Sequence, residues 1–438
     1  MAGRYRAYSA YKPSYAVWSG DVPEHWEPIR LKHVFKEKKK KLNPELHAGS
    51  ISFGNVVFKN EGSLAPETKA SYQELLPGEF LINPLNMNFD LLSLRTALSS
   101  IAVVVSTGYL ILQSESGYDK RYLRWLLQQF DVAHMKTLGA GVRQTIGFTD
   151  IGNSFIFAPS LPEQTQIAVF LDHETAKIDT LIAKQERLIE LLEEKRQAVI
   201  SHAVTKGLNP DAPLRPSGID WLGDVPVHWE VKRAKHISDV FVPQRNKPEF
   251  NENFGVSWAT MDDMKSKCIS STKLRVDDAA ARKAGSKTLA KGAVIASCVG
   301  NFGIASINKI DVIINQQLQA YVPRTIQPEF LRETVTISKA YFEQIGTAAT
   351  LVYVNQQGFE NLPVLQPPSS EQTEICQFVE QQDIKFEAML TKARSAIPLL
   401  KERRTALISA AVTGKIDVRD WQPPKDISDQ AIEQKAFA

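Results

Sequence analysis

The sequence predicts an α+β protein built as a tandem repeat. Two globular domains are separated by two long antiparallel α-helices, which form an intramolecular coiled coil with pseudo-twofold symmetry. Three observations predict it. Residues 13–33, PSYAVWSGDVPEHWEPIRLKH, return at 216–236 as PSGIDWLGDVPVHWEVKRAKH, with thirteen of twenty-one positions identical and an offset of 203 from Pro13 to Pro216. EQTQI at 163–167 returns as EQTEI at 371–375, an offset of 208 from Glu163 to Glu371. Each EQT motif opens a stretch in which apolar residues recur every seven positions. The order is A–B–A′–B′, with a net five residues added inside the second A.

The A segments, 1–160 and 208–366, are mixed and strand-rich. ISFGNVVF (51–58), LSSIAVVVS (98–106) and GAVIASCVG (292–300) are short apolar or alternating runs bounded by Gly, Asn and Ser. KRYLRWLLQQF (120–130) places Tyr122, Trp125, Leu126 and Phe130 at helical steps. Each A segment is long enough for one globular domain.

The first B segment, 161–207, reads as one long helix. Pro162 suits a first turn, Glu163 suits the positive end of the helix dipole, and Gly207 closes the element. Its apolar seam is read on two tracks, one through Leu171, Ile178, Leu192 and Val199, the other through Ile167, Leu181 and Leu188. The second B segment, 367–416, repeats this with Val379, Phe386, Leu400 and Leu407 on one track and Ile375 and Met389 on the other. Pro398 falls inside this second helix and is expected to kink it or end a segment. A helix of about 40 residues spans roughly 60 Å and cannot bury its stripe alone. Antiparallel packing of the two copies is the economical solution. It places the A domains on a pseudo-twofold axis, a geometry that suits DNA with two separated half-sites.

Composition is that of an ordinary soluble protein, 43% hydrophobic and 23% charged, with a net charge of only +3 over 438 residues. Global charge therefore makes no case for nucleic acid, and local clusters must. Cys268, Cys298 and Cys376 form no CxxC pair and read as reduced thiols. No apolar leader and no run of about 18 apolar residues is seen, so a cytoplasmic protein is expected. The tail from 417, and especially QPPKDISDQAIEQKAFA, is polar.

Taken together, the GDVPxHW entry, the PxxEQxxI helix start, the heptad helices and the A–B–A′–B′ order resemble the DNA-specificity subunit of type I restriction-modification enzymes. LPGEFLINPLN (76–86) and KGAVIASCVGNFG (291–303) look like that family's glycine-led strand in each target recognition domain. The resemblance covers the chain through about residue 420. It implies that each recognition domain reads one half of a bipartite site in double-stranded DNA. The helices would set the spacer and dock two adenine methyltransferase subunits, in a prokaryotic cytoplasm, and restriction subunits could join. S-adenosylmethionine, ATP and Mg would belong to those partners. The resemblance implies no cofactor, metal or catalytic residue in this chain.

The residues agree with that division. A glycine-rich cofactor loop, an NPPY-like motif and a P-loop are all missing from the sequence, and the eight histidines form no HxxxH pair. His25, His228, Trp26 and Trp229 read as packed entry motifs. Candidate DNA contacts are Lys36, Lys38, Lys39 and Lys40 in a basic run (with Lys41 completing it), and Arg245 and Lys247 in the second copy. Candidate base readers are Asn83, Asn86 and Asn88, then Arg143, Gln144 and Thr145, then Ser297 and Asn301, then Gln316 and Gln317. Ordinary turn chemistry competes at each of these. Two other classes stay open: a DNA-bridging or regulatory coiled-coil protein without methyltransferase partners, and a nuclease or methyltransferase fused to recognition domains.

Overall fold

The computed structural model describes residues 5–16, 18–85, 94–138, 146–347 and 352–423. Two continuous helices dominate it, Leu161–Lys206 and Ser369–Val412. The chain divides into two compact units that cut across both helices: Met1–Gln185 with Ser395–Ala438, and Glu186–Arg394. Each unit thus holds one A domain, the start of one long helix and the end of the other.

In the first unit a four-stranded antiparallel sheet forms the domain. Its strands are β1 (Phe35–Glu37), β2 (Phe80–Ile82), β3 (Thr96–Leu98) and β4 (Leu110–Ser114), in spatial order β1-β4-β2-β3. The second unit has the counterpart strands β5 (Ser238–Phe241), β6 (Cys268–Ile269), β7 (Val294–Ser297), β8 (Ala305–Asn308) and β9 (Leu318–Pro323), in order β5-β9-β7-β8-β6. Val, Ile, Leu and Phe fill these short strands because both faces are covered. The helices Lys120–Ala133 and Pro328–Ile337 pack on the two sheets and bring Tyr122, Trp125 and Phe130, or Phe330, Leu331 and Val335, into the cores.

The repeated motifs weld domain to helix in the same way twice. Trp26 is fully buried and its indole N–H donates to Glu163 at 3.0 Å, while His25 Nε2 lies 2.9 Å from the same carboxylate. Trp229 donates to Glu371 at 2.9 Å and His228 Nε2 lies 2.8 Å from it. Beside the glutamate, Gln164 receives the backbone N–H of Asp119 and donates to the Pro159 carbonyl. Gln372 receives the N–H of Gln327 and donates to the Pro367 carbonyl. Asp119 and Gln327 are the N-caps of the two domain helices, so the EQ pair orients those helices too. The far end of the other long helix closes on the same tryptophan. Gly414, at φ +71°, would drive a Cβ to 2.3 Å from Pro23 and 3.2 Å from Trp26, and Gly207, at φ +75°, to 3.2 Å from Trp229. Only glycine fits both the left-handed turn and the close approach.

The long helices run antiparallel within each unit. In the second unit Glu193 meets Arg394 at 2.6 Å, and Arg196 meets Asp383 at 2.7 Å and Glu387 at 2.5 Å. In the first, Arg404 meets Asp179 at 2.9 Å, and Ile178 and Leu407 share one core. Arg196 and Arg404 are repeat equivalents, as are Glu387 and Asp179, so one ion pair occurs twice.

Three of the thirteen seam positions need correction. Leu171, Ile178, Leu192 and Val199, and Val379, Phe386, Leu400 and Leu407, face inward or partly inward. On the second track Ile167 and Ile375 are buried, but Leu181 is 47% exposed, Leu188 43% and Met389 44%. The inward positions lie one residue later, at Ile182 and Ile189 in the first helix and at Leu390 and Ile397 in the second. A heptad alternates steps of three and four, and reading three where the helix uses four rotates the track by about 100° onto the solvent face. Pro398 does not end the second helix, which continues to Val412. The proline lies on the exposed face, where water can satisfy the carbonyl it leaves unpaired.

Candidate nucleic-acid interface

Strand register brings the segments of the described sequence candidates of each unit to one edge of its sheet. In the first unit Glu37 pairs with Leu112 and Ile82 pairs with Leu110, so the segments leaving β1 and β2 and the turn entering β4 meet at the same end. The lysine run leaves β1 and Asn83 leaves β2. In the second unit Phe241 pairs with Ala320 and Ser297 with Leu318. There the segment of Arg245 and Lys247, the turn of Gln316 and Gln317, and the loop of Asn301 share the equivalent edge.

Within the lysine run the side chains differ. Lys39 and Lys40 are exposed and form no ion pair among the described residues. Lys36 pairs with Glu115 and stays largely exposed. Lys38 turns inward: its ammonium donates to Glu79 at 2.8 Å and to the Glu74 carbonyl at 3.1 Å, with the side chain 12% exposed. It braces the edge and is not available to a phosphate. Lys41 meets Glu74 at 3.2 Å. The hydrogen bond from Asn43 at 2.9 Å, aided by Lys41 and Lys38, holds the Glu74 carboxyl below its ordinary value.

Asn83 accepts the backbone N–H of Leu85 at 3.1 Å, ordinary turn chemistry. Arg95 braces Asn83 itself. The Arg95 carbonyl takes the Asn83 N–H, and its guanidinium donates to buried Asp131 at 2.8 Å. Asn86, Asn88, Arg143, Gln144 and Thr145 lie outside the described residues. Ser297 is 2% exposed on β7 and donates to the Val299 carbonyl, so it faces the core and cannot meet a base. Asn301 is exposed. Gln316 donates to the carbonyls of Gln244 and Asn246 at 3.1 and 3.3 Å, which pins the Arg245 segment beside the turn. Gln317 and Arg245 are exposed, and the Lys247 ammonium lies 4.8 Å from the Phe250 ring.

Two positions on these edges escaped the sequence reading. Tyr353, 40% exposed, bridges Val299 beside Asn301. The Ser106–Tyr109 turn enters β4 where Gln316 and Gln317 enter β9. The alignment of Leu110 with Leu318 as strand starts was the signal that could have found it.

No group of three or more potential metal ligands occurs among the described residues. Cys298 is buried and its thiol is pushed up to about 11, and burial pushes Cys376 up to about 12. No helix of the described residues is long and apolar enough to cross a membrane.

Residues 226–396 match the model of the type I restriction modification DNA specificity domain. The chain is also 26% identical over 253 residues to the type I restriction enzyme MjaVIII specificity subunit of Methanocaldococcus jannaschii, over 56% of each chain. The chain is similar to type I restriction-modification specificity subunits. It spans about half the length of the curated relative that it matches. The fold of this chain is shared with two solved chains. One comes from work on complex assembly and conformational transition of the type I R-M system, with TM-score 0.69, 16% identity and coverage of 90% of this chain and 99% of that one. The other is the HsdS subunit of Thermoanaerobacter tengcongensis, with TM-score 0.53, 16% identity and coverage of 90% and 98%.

Proposed function

We propose that this chain is the sequence-reading subunit of a type I restriction-modification system. Residues 1–160 and 208–366 each act as a target recognition domain for one half of a bipartite double-stranded DNA site. The two long helices set the spacer between the halves and dock two adenine methyltransferase subunits, which bring S-adenosylmethionine. Restriction subunits can join them and use ATP and Mg. The chain itself reads and positions.

The observation that carries this reading is the convergence of basic and amide-bearing segments on the equivalent sheet edge of both units. Lys36, Lys39 and Lys40 suit phosphate contacts in the first unit, and Arg245 and Lys247 in the second. Asn86, Asn88, Arg143, Gln144 and Thr145, and Asn301 and Gln317, are the proposed base-facing groups. The two edges differ in almost every side chain, so the two half-sites should differ in sequence. Similarity to type I specificity subunits favours a methyltransferase partner over a stand-alone DNA-bridging protein.

Co-expression with the neighbouring methyltransferase subunit, followed by methylome sequencing of the host DNA, tests the proposal. The expected result is one split motif, two short half-sites around a nonspecific gap. A stable complex with an active methyltransferase but no modified motif would overturn it.

A further inference from the structure

Phe170 in the first long helix and Phe378 in the second are repeat equivalents, at the offset of 208. Their surroundings differ. Trp421 meets the Phe170 ring edge-on at 5.1 Å and Tyr5 does so at 5.2 Å, and Phe170 is left with no exposure. Gln166 donates to the Trp421 carbonyl and holds that segment down. The covering of Phe170 therefore comes from two separate stretches of chain, one after the helix end at Gly414 and one before the entry motif.

In the second unit a single linker, 207–216, leaves the helix and enters the motif. It can follow only one of those two paths. Leu208 takes the place of Tyr5, and among the described residues of that unit none takes the place of Trp421. What is left is a cleft of about 600 Å³ bordered by Lys195, Val199, His202, Leu208, Pro210 and Phe378. Val199 and His202 are the equivalents of Leu407 and Ala410, which lie in the apolar cluster around Phe170 and Trp421.

We propose that this cleft is a docking socket for an aromatic side chain of a methyltransferase subunit. The identity of that partner rests on the function proposed above. The filled counterpart defines the chemistry of the occupant. Phe378 and Val199 offer an apolar floor to a ring, and Lys195 offers a cation at its rim. Gln166, which donates to the carbonyl of Trp421, is replaced by Glu374, which lines the adjoining hollow with Leu208. An ionised carboxylate only accepts, so the occupant must present an N–H, and a tryptophan or an aromatic residue with a free backbone amide fits. The first unit has already filled its own socket with Trp421. Only one of the two methyltransferase copies gains this contact, so the copies should bind unequally.

Native mass spectrometry of the full chain titrated with the methyltransferase subunit resolves complexes with one and two copies. Ala198→Trp, at an exposed position on the cleft wall, fills the socket from this chain's own side. Val199→Arg places a charge on its floor. Both should weaken one binding step by about tenfold or more and leave the other unchanged, as expected for loss of a buried aromatic anchor. Because Ala198 is exposed, its replacement keeps the test valid even where Val199→Arg fails to fold. Two unchanged steps in Ala198→Trp would overturn the proposal while leaving the assembly itself intact. A self-dimer of the chain that Ala198→Trp abolishes would assign the socket to a second copy and overturn it as well. Wild-type chain that binds no methyltransferase at all would fail the functional reading, and the socket proposal with it.

Discussion

The two units share a weld and differ in what braces it. In the first, Glu163 takes a third hydrogen bond, from the Tyr8 hydroxyl at 2.7 Å, and Trp125 of the domain helix donates to Asp172 of the long helix at 2.9 Å. Arg404 lies 5.8 Å from the Trp125 ring and pairs with Asp179. In the second, ions do this work. Arg196 and Asp383 from the long helices meet Lys267, Glu333 and Arg332 of the domain in one network, in which Lys267 contacts Asp383 and lies 3.2 Å from Glu333. Burial lowers the Lys267 ammonium from its ordinary value. The position of Asp383 is Thr175 in the first helix. The shared clamp is architecture common to both halves, and the brace is free to diverge along with the domain it supports.

The largest effects should come from breaking what the units share. Trp26→Ala and Trp229→Ala each remove a buried indole and one hydrogen bond to Glu163 or Glu371, at a cost of about 3–5 kcal/mol. Calorimetry should show each substitution lowering the transition of its own unit. Equal destabilisation of both units by either one would mean that the weld is not local.

Next in size are the braces. Asp383→Ala removes the carboxylate that Arg196 and Lys267 share and leaves each with only its second partner, Glu387 and Glu333. Because both keep some solvent, the loss should be about 2 kcal/mol, short of the 3–5 of a fully buried pair. Arg404→Ala, the removal of the exposed pair in the first unit, should cost about 1 kcal/mol or less by denaturant titration. Equal costs would erase the distinction between an ionic and an aromatic brace.

The seam offers a finer comparison inside one helix. Leu181→Ser and Leu188→Ser, on the exposed side, should change stability by within about 0.5 kcal/mol. Ile182→Ser and Ile189→Ser should each cost about 1–2 kcal/mol, because they lose apolar burial. The reverse order would restore the three-residue reading of the second track.

The smallest effect is one of pH. The folded Glu74 carboxyl titrates below its unfolded value, so its contribution is complete above the ordinary carboxylate range of about 4.3 and is lost as pH falls through the folded value. Glu74→Gln should flatten the acid limb of the first unit's stability curve between that value and about 4.3 and leave the second unit's unchanged.

Much of this arrangement was legible in the sequence. Two long helices followed from the seven-residue apolar repeat after each EQT motif and, in the first, from the absence of Pro and Gly before Gly207, and Trp26 and Trp229 as packed anchors followed from their repetition. The inward phase of the second track was not legible, because Leu181, Ile182, Leu188 and Ile189 are all apolar and composition cannot choose between adjacent positions. Nor were the inward turns of Lys38 and Ser297. A lysine run reads as a surface until Glu74 and Glu79, some forty residues away, are folded against it. Ser297 follows a strand whose register alone decides which residue faces the core.

The most direct test exchanges one edge and leaves the other. Arg245→Ala with Gln317→Ala alters the second unit's exposed edge without touching its clamp or brace. Methylome sequencing with the methyltransferase subunit should then show one half-site relaxed or weakened, with the other half-site and the gap length unchanged. Loss of sequence preference in both halves at once, or a motif identical to wild type in both, would contradict two domains that read separately at equivalent sheet edges.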